Sequence, residues 1–174
     1  MIYFYVLFCF LIGQRLVELY IAHKNEQWMK ARGGIEVGRN HYKWFIWLHT
    51  LFFISLLLEF HYHALINQKK MPFYLLFFSL FLLAQIGRIW CIHSLGKFWN
   101  TKIIVLPKIA LIKKGPYKFM KHPNYVIVFI ELIVIPLIFG LFVTAYIFPF
   151  LHLFLLTIRI PTEEAALERS TFIK

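Results

Sequence analysis

A chain of 174 residues that is 60% hydrophobic and 20% aromatic, with a mean hydropathy of +0.68, carries far more apolar side chain than a soluble domain of this size needs for its core. Its formal net charge of +11 does not point to nucleic acid, because the cations fall in short segments beside apolar runs and not in a soluble basic stripe. The class is an all-α integral membrane protein, with room for a bundle of about five transmembrane helices at roughly 20 residues each.

In chain order, the apolar pattern predicts spans over 2–22, 44–62, 72–92, 124–140 and 143–160. The first lacks a basic leader and a small-residue cleavage site, and it carries Arg15 and Glu18, so it reads as a retained span. Those two charges stand three apart, a spacing that favours a structural pair. Gln85 and Arg88 repeat that spacing near the end of the third span, where Arg88 is expected to snorkel to the interface and could meet a ligand's polar head there. Glu131 is the sole formal charge between 126 and 158, and it must face the bundle, neutralised by a proton or a partner. The last two spans form a hairpin around Gly140.

Cations gather in the 23–43 loop (Lys24, Lys30, Arg32, Arg39, Lys43), the 93–121 loop (Lys97, Lys102, Lys108, Lys113, Lys114, Lys118, Lys121) and the tail (Arg159, Arg169, Lys174). The opposite loops hold Lys69 and Lys70. The positive-inside rule then predicts an N-terminus outside, with both large loops and the C-terminus in the cytoplasm. Under that topology Cys9 and Cys91 lie near opposite membrane faces and form no disulfide. His61-Tyr62-His63 is an interfacial feature without the acid or thiol a metal site needs. His49 and His152 read as packing residues.

The concentrated chemistry lies at the ends of the final hairpin. Gly115-Pro116-Tyr117 precedes Lys121-His122-Pro123-Asn124-Tyr125, and the far end reads Arg159-Ile160-Pro161-Thr162-Glu163-Glu164. A hairpin returns both ends to one side of the bilayer. Proline suits the first helical turn and pushes the residue before it out of the helical region, so His122 should sit at a helix N-terminus, where free N–H groups favour an anion. Thr162 is expected to cap a short second helix with Glu163 and Glu164 in its first turn. A zwitterion bearing ammonium, carboxylate and ribose hydroxyls would find partners among these groups.

These elements, in this order, resemble the isoprenylcysteine carboxyl methyltransferase family. The resemblance covers 94–168, where Leu95-Gly96 and Trp99 also fit; Arg15-Leu16-Val17-Glu18-Leu19 and Gly33-Gly34 are similar to its small bacterial branch. It implies a single methyltransferase domain over 1–174, with the cofactor-binding part at 94–174. S-adenosylmethionine would be bound by Gly115, Pro116, Tyr117, His122, Pro123, Tyr125, Glu163 and Glu164. Arg159 and Glu163 would be catalytic, with Arg88, Glu131 and Arg159 facing the acceptor, and no metal. The acceptor would be a lipophilic small molecule with a carboxylate or acidic hydroxyl, isoprenylcysteine-like or alkylpyrone-like. The expected location is the bacterial cell membrane, with the site facing the cytoplasm. Two positions depart from the family pattern: Lys121 stands in place of Arg, and Ile127 in place of Gly.

No Gly-x-Gly-x-x-Gly turn is present, so the cofactor would be bound at helix ends and not in the soluble Rossmann manner. Two other readings stay open at this level: a phospholipid N-methyltransferase, and a non-enzymatic scaffold or transporter subunit whose basic loops bind membrane lipids.

Overall fold

The computed structural model describes residues 1–65, 73–107, 109 and 112–172; Lys69, Lys70, Lys108 and Lys174 lie outside the described residues. Five long helices carry the chain: α1 (Ile2–Lys30), α2 (Arg39–Leu65), α3 (Tyr74–Leu95), α4 (Pro123–Ile138) and α5 (Phe142–Phe172). Four of them are long and apolar enough to cross a membrane, and α4 is a shorter apolar helix. The all-α membrane architecture read from the sequence is the one observed. Large apolar side chains stay exposed along these helices, Leu75, Leu83, Ile86 and Ile89 on α3 among them, as a lipid-facing surface requires.

Several helix ends differ from the predicted spans. α1 continues past residue 22 through a charged stretch, where Lys30 Nζ donates to Glu26 Oε1 at 2.6 Å across one turn, so polarity does not end the helix. The expected second helix after Thr162 is absent. α5 runs without a break through Pro161, Thr162 is interior, and its cap is not needed. The α4–α5 hairpin turns as predicted at Gly140, whose φ of +72° suits glycine; Leu141 N–H donates to Pro136 O across the turn.

The chain divides into two compact units. One comprises Met1–Arg39, Leu95–Ile112 and Pro161–Lys174. It holds a short antiparallel pair, β1 (Ile35–Val37) with β2 (Ile103–Val105), in the register Ile35↔Val105, Glu36↔Ile104, Val37↔Ile103. Met29, Ile104 and Leu106 pack on one side with Trp28 and Phe98, while Ile103 and Val105 pack with Ala166 on the other. Asn25, buried on α1, donates to the carbonyls of Gly96 and Trp99 and so fixes the turn that follows α3. Lys102 donates to both carboxylate oxygens of Glu26 at 2.8 and 2.9 Å. Arg15 pairs with Glu18 at 2.8 Å, as their spacing predicts.

The other unit comprises Asn40–Ser94 and Lys113–Ile160, and contains α2, most of α3, α4 and the greater part of α5. Glu59 near the end of α2 accepts from the backbone N–H groups of Val143 and Thr144 and from the Thr144 hydroxyl, capping the start of α5 from another helix. Ser55 bonds the same Thr144 hydroxyl.

Candidate functional site

Gly115 to Lys118 form a 3-10 turn laid against α3. Gly115 adopts φ +54°, and a Cβ there would fall 2.0 Å from Ser94 Oγ and 2.8 Å from Trp90 Nε1. Glycine is needed for both its backbone conformation and the close approach. Tyr117 hydrogen-bonds the Cys91 thiol on α3, and Pro116 is buried. The turn is therefore a packed element that sets the path of the chain into α4.

α4 begins as the sequence predicts: His122 is its N-cap residue and Pro123 its first helical residue. The His122 and Tyr125 rings lie nearly parallel, 5.3 Å between centroids and 14° between planes. Each thus covers one face of the other. Asn124 stands between them in sequence, with its Oδ1 buried.

Arg159 on α5 is 5% exposed. Its Nε donates to the Tyr125 hydroxyl at 2.8 Å, and its guanidinium lies over the Phe45 ring at 5.0 Å and the Tyr125 ring at 5.8 Å. A planar, weakly hydrated cation is suited to such stacking, and two rings with a phenol fix both its position and its plane. His152, fully buried two turns earlier on the same face of α5, bonds the Tyr125 carbonyl at 3.3 Å and meets Phe45 edge to face. The packing role predicted for His152 holds, and it supports Arg159's two neighbours at once.

Arg88 does not snorkel. It is 2% exposed and bonds both oxygens of Glu131 across the α3–α4 interface, through Nε to Oε1 at 2.9 Å and through Nη2 to Oε2. Gln85 donates to the same Oε1 at 2.9 Å. A carboxylate already inside the bundle offers Arg88 a bidentate partner that the interface cannot match. Glu131 is neutralised by this pair.

Glu163 and Glu164 lie in the other unit's portion of α5, in the half-buried part of the helix beyond Pro161. Both cysteines are free, and the described residues contain no cluster of His, Cys, Asp or Glu able to hold a metal ion.

Residues 75–169, which include Gly115–Tyr117, His122–Tyr125, Arg159 and Glu163–Glu164 but not Phe45, match the model of the isoprenylcysteine carboxyl methyltransferase family. The chain belongs to this family. It is 44% identical over 165 residues, 95% of its length and 96% of the relative's, to the "Uncharacterized protein YpbQ" of Bacillus subtilis (strain 168). A Haemophilus influenzae relative printed as "Uncharacterized protein" is 25% identical over 170 residues, 96% of each chain. No solved structure matches. Family membership together with the apolar helices supports a membrane methyltransferase.

Sequence reasoning missed His41, Phe45 and Glu59. Phe45 looks like any aromatic in an apolar span, and its role appears only when α2 meets α5. His41 in Asn40-His41-Tyr42 was a usable signal: a polar run immediately before an apolar span.

Proposed function

We propose that this isoprenylcysteine carboxyl methyltransferase family member uses S-adenosylmethionine to methylate a carboxylate or acidic hydroxyl of a lipophilic acceptor, from the cytoplasmic face of a bacterial membrane. The observation that carries the reading is Arg159, a buried guanidinium oriented by Phe45, Tyr125 and the Tyr125 hydroxyl, within the segment that matches the family.

The residues present fit such a cofactor. Stacked rings, a buried amide oxygen on Asn124 and two carboxylates offer partners for a purine, hydroxyls and an ammonium. The Gly115–Tyr117 turn, His122, Pro123, Tyr125 and the Glu163–Glu164 pair would hold it. When bound, the cofactor supplies an electrophilic methyl group on a sulfonium sulfur.

Arg159 would hold the acceptor's anionic oxygen in line for attack, with its plane set by the rings that stack on it. Orientation of this kind can be worth several kcal/mol. Attack of an anion on a cation disperses charge, so a water-poor setting at the end of apolar helices favours it over bulk water. An ionised carboxylate or acidic enol needs no strong general base. Arg88 and Glu131 neutralise each other, and their contribution would be to hold α3 against α4.

The test is cofactor binding by purified protein. The wild type should bind S-adenosylmethionine and S-adenosylhomocysteine saturably, and Glu163→Ala or His122→Ala should abolish binding while the helical circular dichroism is retained. Normal binding in both variants would remove the proposed site.

A further inference from the structure

With 29 residues at about 1.5 Å each, α1 is about 43 Å long, whereas the hydrocarbon core of a bilayer is about 30 Å thick. Its apolar part, with Leu16, Val17 and Leu19 exposed, occupies that core, so its last turns reach the headgroup level. There four residues stand four apart on one face, the last just past the helix end: Tyr20, Lys24, Trp28 and Arg32. Ring and cation alternate. Lys24 Nζ lies 4.6 Å from the Tyr20 ring centre, and the Arg32 guanidinium lies 4.1 Å from that of Trp28. Lys97, in the 3-10 turn that follows α3, brings a third cation to 5.3 Å from the same Trp28 ring. Asn25 ties that turn to α1 through the Gly96 and Trp99 carbonyls, and Phe98 meets Trp28 edge to face at 5.6 Å. The indole and the cations over it are thus held in place by the fold of this unit.

Two lysines of the same unit are neutralised where they stand. Lys30 and Lys102 take Glu26 and Glu36 as partners, whereas, among the described residues, Lys24, Arg32 and Lys97 have no carboxylate within ion-pair distance. All three are exposed. Two like charges on one ring repel each other, and an anion set between them relieves that repulsion. We propose that Arg32, Lys97 and Trp28, with Lys24 beside them, form a binding site for the phosphate of an anionic phospholipid. Arg32 Nη1 donates to the Trp28 carbonyl at 3.3 Å, which leaves the rest of its planar fork for two phosphate oxygens. Lys97 adds a point charge to the same anion. The face continues back along α1 as Tyr20 and Leu16, both exposed, against which an acyl chain can lie. A soluble phosphate would find the cations without using that apolar stripe, and a choline headgroup carries a cation of its own that the patch repels.

The experiment uses the full chain in neutral detergent micelles, with dioleoyl phosphatidylglycerol or dioleoyl phosphatidylcholine added in steps. At each step the midpoint of thermal unfolding and the lipid retained in native mass spectrometry are recorded. Phosphatidylglycerol should raise the midpoint saturably, because a ligand of the folded state stabilises it, and phosphatidylcholine should not. Arg32→Gln with Lys97→Gln should weaken phosphatidylglycerol binding by about tenfold or more, as the loss of two cations at a headgroup implies. Lys113→Gln with Lys114→Gln removes the same charge from an exposed stretch outside the site and should stay within about twofold of wild type. Trp28→Leu keeps every cation but removes the ring that positions two of them, and it should also weaken binding. Where that variant folds poorly, Arg32→Gln with Lys97→Gln still decides, since both positions are exposed. The proposal is overturned if the two double variants lose affinity alike, which would mean diffuse attraction only, or if Arg32→Gln with Lys97→Gln binds as wild type does. Displacement of the lipid by an equal concentration of soluble glycerol 3-phosphate would overturn it as well, because the apolar stripe would then contribute nothing.

Discussion

Two arginines in the same unit are buried to nearly the same degree and held by different chemistry. Arg88 grips Glu131 through two hydrogen bonds, with Gln85 on the same carboxylate. Arg159 lies between two aromatic rings and is pinned by a tyrosine hydroxyl. The first arrangement sets a guanidinium against a carboxylate, while the second fixes the plane of a guanidinium against two rings and a phenol. Burial of a charge is therefore a poor guide to function by itself; the type of group that surrounds it is the better one.

The largest effect that sharpens this contrast is expected from Glu131→Ala. It strands the Arg88 charge within the bundle and should destabilise the protein by about 3–5 kcal/mol, seen as a much lower unfolding midpoint in micelles. The double variant Arg88→Met with Glu131→Leu should recover most of that loss, because apolar replacement of a whole buried pair is often neutral. Failure to recover would mean that the pair has a role beyond neutralising itself.

Next comes Arg159→Ala, which should keep the fold and bind cofactor close to normally, yet lower turnover by about a hundredfold or more. Arg159→Lys should not restore turnover, since an ammonium has neither the plane nor the fork of a guanidinium. If cofactor affinity instead falls in proportion to activity, Arg159 is a cofactor ligand and not an acceptor residue. Gly115→Ala should follow, with a lower unfolding midpoint from a strained backbone and a Cβ driven into Ser94. The smallest change is Tyr125→Phe: it keeps the ring over Arg159 but deletes one charge-assisted bond, about 1.5–3 kcal/mol, and should show in kcat more than in stability.

How much was legible in the sequence follows from range of interaction. The spans could be drawn because bilayer thickness imposes a length on apolar runs, and His122-Pro123 marked the start of α4 because proline acts on its immediate neighbour. Helix ends were less legible. Beyond residue 22, Glu26 and Lys30 read as loop but pair along the helix, and Pro161 read as a stop but lies within α5. The β1–β2 pair joins three-residue strands far apart in the chain, and Ile103-Ile104-Val105 was its only local sign. Arg88 and Glu131 are 43 residues apart, so each was visible as an intramembrane charge without its partner. The Arg159 cluster was half visible: Tyr125 and Arg159 stood in recognisable motifs, while Phe45 and His41 came from a helix whose packing no local pattern reveals.

The cap that Glu59 places on the start of α5 also constrains the timing of assembly. Its partner Thr144 lies 85 residues later in the chain. At a synthesis rate of about 5–20 residues per second, Glu59 emerges roughly 4–17 seconds before the groups that satisfy it. For that interval the Glu59 carboxylate lacks these three donors and has His63, one turn further along α2 at 3.8 Å, as its neighbour. Assembly of this unit is therefore a late event, completed only when the final hairpin arrives, and a nascent chain stopped before Val143 should remain open to quality-control proteolysis.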